Sequence, residues 1–167
     1  MPESATALAI RPAHVGDVPL ILAFIRELAE YEHAPDEVVA TEALLRDRLF
    51  GEQPAAEVLI AEADGLPAGF ALFFHTFSTW KARRGLWLED LFVRPQFRGA
   101  GVGLALMRQL AHIAVQRDCA RFEWSVLDWN TPAIAFYRRL GATGQDEWTT
   151  QRMQGEALAA LAAQARP

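Results

Sequence analysis

With 167 residues, 51% hydrophobic and 22% charged, the chain carries enough apolar side chain for one sizeable core and is not composed like a disordered protein. Its formal net charge of −5 argues against a nucleic-acid surface and favours a cationic partner. No apolar run approaches a membrane span, Met1 to Leu8 lacks the basic start and hydrophobic core of a secretory signal, and the single cysteine, Cys119, permits no internal disulfide, so the expected compartment is the cytoplasm.

Taken in order, Leu8-Ala9-Ile10-Arg11 reads as a short strand. Asp17 caps a helix whose Ile21, Phe24, Ile25 and Leu28 share one face and which runs out near Tyr31 to Pro35. Thr41 caps a second helix carrying Leu44, Leu45, Arg48 and Leu49, and Gly51 stops it. Val58 to Ala63 and Gly69 to Phe77 are strands joined through Asp64-Gly65 as a hairpin. The Ser78 to Gly85 loop leads to the strand Trp87 to Val93, which Arg94-Pro95 ends because proline has no N–H for a ladder.

A helix follows with Leu104, Met107, Leu110, Ala111 and Ala114 on its buried face. Arg121 to Val126 is the next strand, and Asn130-Thr131-Pro132 starts a helix that Gly141 stops. A last strand near Trp148 to Met153 and an alanine-rich tail from Glu156 complete the order. No repeat and no linker mark a second domain, so residues 1–167 are expected to form one domain of α/β or α+β class with a mixed sheet.

The glycines of Gln96-Phe97-Arg98-Gly99-Ala100-Gly101-Val102-Gly103 fall at a helix N-terminus. There the first N–H groups lack intrahelical partners, the macrodipole is positive and residues without a Cβ let a ligand approach. That makes an anion cradle suited to phosphate or pyrophosphate; the competing reading is a loop that merely turns the chain. Val102-Gly103-Leu104 offers no Gly-Lys-Ser/Thr of a P-loop, and the third glycine of a dinucleotide fingerprint is absent.

Gln96 to Gly101 resembles the Gln/Arg-x-x-Gly-x-Gly/Ala pyrophosphate signature of the Gcn5-related N-acetyltransferase (GNAT) superfamily. The element order resembles that fold along nearly the full chain, which implies a central mixed, mostly antiparallel β-sheet flanked by α-helices. Ile10-Arg11-Pro12, Glu27 to Glu32, Leu88 to Val93, Phe97 before Arg98-Gly99, Trp129-Asn130 and Phe136-Tyr137 are most similar to the diamine (spermidine/spermine N1-) acetyltransferase group.

The resemblance implies acetyl-coenzyme A as cosubstrate. It assigns the backbone of Leu91, Phe92 and Val93 to the pantetheine arm and Arg98, Gly99, Ala100, Gly101, Val102, Gly103 and Leu104 to the pyrophosphate, with Asn130, Thr131, Pro132 and Ala133 beyond the arm. It also implies a small amine substrate, direct attack in a ternary complex, and a homodimer. Arg138 and Arg139 are either contacts to the adenosine phosphates or a solvated basic face.

An amine with a pKa near about 10.4 is almost wholly protonated at neutral pH, so acetyl transfer must remove a proton. Glu89, between Trp87 and Leu91 on one strand face, is expected to be buried and hence neutralised or used; it can hold the ammonium and lead its proton away, or pair with a structural arginine. By the same alternation Asp90 faces the other way and is expected to be structural. The resemblance also implies that backbone N–H groups around Phe92 and Val93 stabilise charge on the thioester carbonyl. Tyr137, one helical turn from Ala133 and two from Asn130, is by resemblance the general acid for the departing thiolate; core packing is its other reading, and Phe136 is the better core candidate.

For the substrate, Tyr31, Glu32, Glu89, Glu123, Trp124 and Ser125 match polyamine-binding positions of the resembled group. Tyr31-Glu32 also reads as a plain helix end and Trp124 as core. The cations of Trp80-Lys81-Ala82-Arg83-Arg84 would instead suit a smaller amine, or a lysine analogue such as thialysine with its own carboxylate. His14, His33, His75 and His112 have no ligand spacing, and no metal site is expected. Two rivals remain: an acetyltransferase for protein lysines or N-termini, and an acyl-coenzyme A-binding module without chemistry, which would need neither base nor acid.

Overall fold

A computed structural model describes residues 6–165, so the first residues of the stretch read against a signal lie outside it. The chain divides into two compact units, residues 1–125 and 126–167.

The first unit is a five-stranded sheet in the order β1 (Leu8–Pro12), β2 (Glu57–Ala63), β3 (Leu66–Ser78), β4 (Arg83–Val93), β5 (Arg121–Trp124). The first three pairings are antiparallel and β4–β5 is parallel, which gives the mixed, mostly antiparallel sheet expected. Asp64 and Gly65 both take positive φ, 51° and 77°, the geometry of a tight hairpin turn between β2 and β3. β4 starts four residues earlier than expected, leaving a short connection from β3.

Helix α1 (Val18–Tyr31) lays Ile21, Phe24 and Leu28 on the sheet, where they meet Val58, Ile60, Phe70 and Phe92 together with Leu49 of α2 (Glu42–Phe50). The Phe24 and Phe70 rings stack with centroids 5.2 Å apart. Leu59 and Ala61, alternating with Val58 and Ile60, are equally buried on the other face, and α3 (Val102–Gln116) packs against all five strands. Both faces of the sheet are therefore covered.

Thr41 caps α2 as expected, accepting from the Leu44 N–H at 3.2 Å. Asp17 stands at the α1 N-cap but does not bond that helix. Its carboxylate accepts from Arg11 at 2.7 and 3.0 Å and from the His14 N–H, and the guanidinium holds its pKa below the usual range. Arg94, just past β4, makes a two-pronged pair with Glu27 of α1 at 2.8 and 3.0 Å and sits over the Phe24 ring.

In the second unit, α4 (Thr131–Arg139) begins at Asn130, whose side chain accepts from the Ala133 N–H at 3.4 Å, and α5 (Gly155–Ala162) forms the alanine-rich tail. The strand expected near Trp148 to Met153 does not form: the segment is turn and irregular chain, with Trp148 and Met153 exposed. A strand needs a ladder partner, and among the described residues none pairs with it.

Candidate active site

The site in the first unit is built on the last five residues of β4. The β5 pairing covers β4 only from Gly85 to Leu88, so Glu89 to Val93 keep β3 on one edge and, among the described residues, no strand on the other. Leu91, Phe92 and Val93 thus have no strand on that edge, where the Val93 carbonyl accepts from Arg98 Nε at 3.0 Å, and the Phe92 side chain is buried. Gly69 of β3 lies opposite Val93; a Cβ there would overlap the Phe92 carbonyl oxygen, so the close approach requires glycine.

The register runs Leu72↔Asp90 and then Phe73↔Leu88, skipping Glu89. This β-bulge overturns two expectations, because an inserted residue re-aims the side chains around it. Glu89 is exposed, not buried, and accepts a hydrogen bond from the Trp87 indole N–H at 2.8 Å. Asp90 no longer faces away from it: Asp90 lies opposite Leu72, on the same sheet face as Phe70, Phe92 and α1.

Partial burial pushes the Asp90 carboxyl up to about 6, and the nearby charges of Glu89 and Glu32 add to the effect. Desolvation also raises Glu32, which follows α1 directly. Three acids from two elements thus share one electrostatic neighbourhood, and an ammonium placed among them would relieve their mutual repulsion.

Beside them, the parallel ladder sets Glu123 next to Trp87 and Trp124 next to Leu88. Glu123 therefore lies on the acidic face. Trp124 lies on the opposite face with buried Leu88, its ring 4.9 Å from Phe122, so its packing reading is the one the register supports. Ser125 is exposed just beyond β5.

Six residues past the strand end, Gly99 and Gly101 take φ of 81° and 83°, left-handed conformations that favour glycine. Gly101 is the N-cap of α3, and the first helical bond runs from the Ala105 N–H to its carbonyl. The N–H groups of Val102, Gly103 and Leu104 are therefore unspent by the helix. A Cβ at Gly99 would meet open space, so this backbone is approachable from outside. An exposed turn of two left-handed glycines opening a helix fits a pyrophosphate. Ala100 sits exposed between them, and Arg98 donates from Nε to the Val93 carbonyl at 3.0 Å with its guanidinium 4.9 Å from the Tyr31 ring centroid.

In the second unit Asn130 is buried, Thr131 and Pro132 are exposed in the first turn of α4, and Ala133 and Tyr137 are partly buried along that helix. Arg138 and Arg139 are exposed.

Of the cations at 80–84, Arg83 is turned away from these acids. Between Arg83 and Glu89 the strand runs about 20 Å at ~3.3 Å per residue, and Arg83 turns to Asp118 at 3.5 Å.

An open strand edge, an acidic face and an approachable anion cradle thus lie on successive segments of the first unit. Residues 22–142 match the acetyltransferase (GNAT) family model, and the chain belongs to that family. It is 41% identical to a thialysine N-epsilon-acetyltransferase of Sus scrofa, over 92% of this chain and 96% of that one. It is 35% identical to a spermidine/spermine N(1)-acetyltransferase-like protein of Homo sapiens, over 92% of this chain and 23% of that protein. An integron cassette protein from the mobile metagenome of V. cholerae superposes with a TM-score of 0.79 at 29% identity, covering 96% of this chain and 99% of that one. The protein is an acetyltransferase, and enzymes of this family use acetyl-coenzyme A.

Two features escaped the sequence reading. Asp90 was legible as a residue but not in its orientation, because no local pattern announces the bulge. The stacking of Arg98 on Tyr31 joins residues far apart in the chain and has no sequence signal.

Proposed function

We propose that the protein transfers the acetyl group of acetyl-coenzyme A to a primary amine of a small polyamine or diamine, by direct attack in a ternary complex. The observation that carries this reading is the clustering of Glu32, Glu89 and Asp90, with Glu123 on the same face, beside a strand edge that leads into the glycine cradle.

When bound, acetyl-coenzyme A supplies an acetyl group activated as a thioester. Arg98 and the N–H groups of Val102, Gly103 and Leu104 would hold its pyrophosphate, and the β4 edge at Leu91 to Val93 its pantetheine arm, with Asn130 to Ala133 as further contacts by the family resemblance. Glu89 receives the reacting ammonium and leads its proton away. Asp90, with a pKa of about 6, is the neighbouring carboxyl able to take that proton on. Glu32 and Glu123 hold the distal ammonium of a longer substrate, whose methylenes lie against Tyr31 and Trp87. Tyr137 donates a proton to the departing thiolate. The resemblance to the diamine acetyltransferases further supports a single catalytic domain acting as a cytoplasmic homodimer.

A second reading, acetylation of thialysine or a related amino acid, is favoured by the names of relatives such as that of Sus scrofa. Its carboxylate would need a partner other than Arg83, which lies at the far end of β4 from Glu89 and pairs with Asp118. Steady-state kinetics of Glu32→Ala separates the two. If Glu32 anchors a distal ammonium, KM rises for spermidine about tenfold, a lost charge contact of about 1.4 kcal/mol, and hardly changes for a monoamine. Equal changes for both amines would count against the polyamine.

A further inference from the structure

Tyr31 closes α1 and Arg98 stands in the glycine loop, yet the two are stacked. The guanidinium carbon is 4.9 Å from the Tyr31 ring centroid and 5.8 Å from that of Phe92, and Nε donates to the Val93 carbonyl at 3.0 Å. The side chain is thus held by two rings and one carbonyl at the entrance to the cradle. Among the described residues no carboxylate forms an ion pair with it, so its charge is not neutralised by the protein. A long, rotamer-rich side chain fixed before a ligand arrives loses less freedom on binding it.

We infer that Tyr31 is a positioning residue for Arg98, so that a side chain on the amine side of the site sets the affinity of the pyrophosphate cradle. This rests on the reading that the cradle holds acetyl-coenzyme A, and it gives Tyr31 a role distinct from contact with the amine. Tyr31 is continuous with Glu32, whose charge Asp90 feels, so the stack joins the acidic face to the anion loop through adjacent groups.

The test is the Kd of coenzyme A, without amine, by calorimetry on wild type, Tyr31→Ala, Tyr31→Phe, Arg98→Ala and the Tyr31→Ala/Arg98→Ala double variant. Loss of one cation–π contact should weaken binding about 3- to 10-fold in Tyr31→Ala. Tyr31→Phe, which keeps the ring, should bind as wild type does. Tyr31→Ala should add nothing further once Arg98 is gone, since it acts through that residue.

A general loss of structure would instead weaken binding in the double variant beyond Arg98→Ala alone; that pattern overturns the inference. Tyr31→Ala binding coenzyme A as tightly as wild type overturns it too, while leaving the cradle standing. Wild type failing to bind coenzyme A would instead overturn the cradle assignment and the inference with it.

Discussion

Asp90 differs from every other carboxylate of the first unit in having its pKa pushed up to about 6, by partial burial and by the charges of Glu89 and Glu32. A carboxyl raised above its unfolded value near 3.8 binds more protons in the native state. Its ionisation is therefore tolerated least when folded, and stability from this group is full below pH 3.8 and lost as pH rises through about 6. Asp90→Asn removes the penalty: its stability advantage over wild type should appear between pH 4 and 6 and reach about 3 kcal/mol at most at pH 8, from ~1.4 kcal/mol per pKa unit. Urea unfolding of both proteins across that range measures it, and a constant difference would show that Asp90 is not strained. Tyr137→Phe keeps the ring and removes only the hydroxyl that would give the proton, so kcat should fall about 100-fold or more with little change in amine KM; steady-state kinetics with an amine substrate decides this. The sequence singled out Glu89 and Tyr137 as catalytic candidates and expected Asp90 to be structural. The orientation of the two acids was not legible there, because strict alternation along Trp87 to Val93 assumes an unbroken ladder, and the register skips Glu89.

At the scale of elements, the apolar period of Ile21, Phe24 and Leu28, the Thr41 cap and the Asp64-Gly65 turn each specified their piece of structure locally, and each formed. Trp148 to Met153 did not become a strand, since an alternating segment is only half of a sheet. Asp17 shows a subtler divergence. Its position before α1 was correct, but Arg11 offers a charged partner that a backbone N–H does not match, so the carboxylate turned away from the helix. The glycine loop makes the sharpest element-scale prediction. Gly101→Asp forces a side chain into a left-handed conformation and sets a negative charge at the positive end of α3. Coenzyme A binding should fall below detection in calorimetry, with far-ultraviolet circular dichroism unchanged; unaltered affinity would remove the loop from the cradle.

Across the whole molecule, the proposed function assigns one strand to both partners of the reaction. The open end of β4 carries acids at Glu89 and Asp90 and leads into the anion-binding turn, while Arg94 ties that end to α1 through Glu27. A binding module would need the cradle alone; in the proposed reaction the acids and Tyr137 serve acetylation of an amine. The most direct measurement is free-thiol release from acetyl-coenzyme A with spermidine, spermine, putrescine, thialysine, lysine and a lysine peptide. The account predicts turnover with free small amines, fastest with the polyamines, and little with the peptide. Tight binding of acetyl-coenzyme A without thiol release from any amine, or release with the peptide alone, would contradict it.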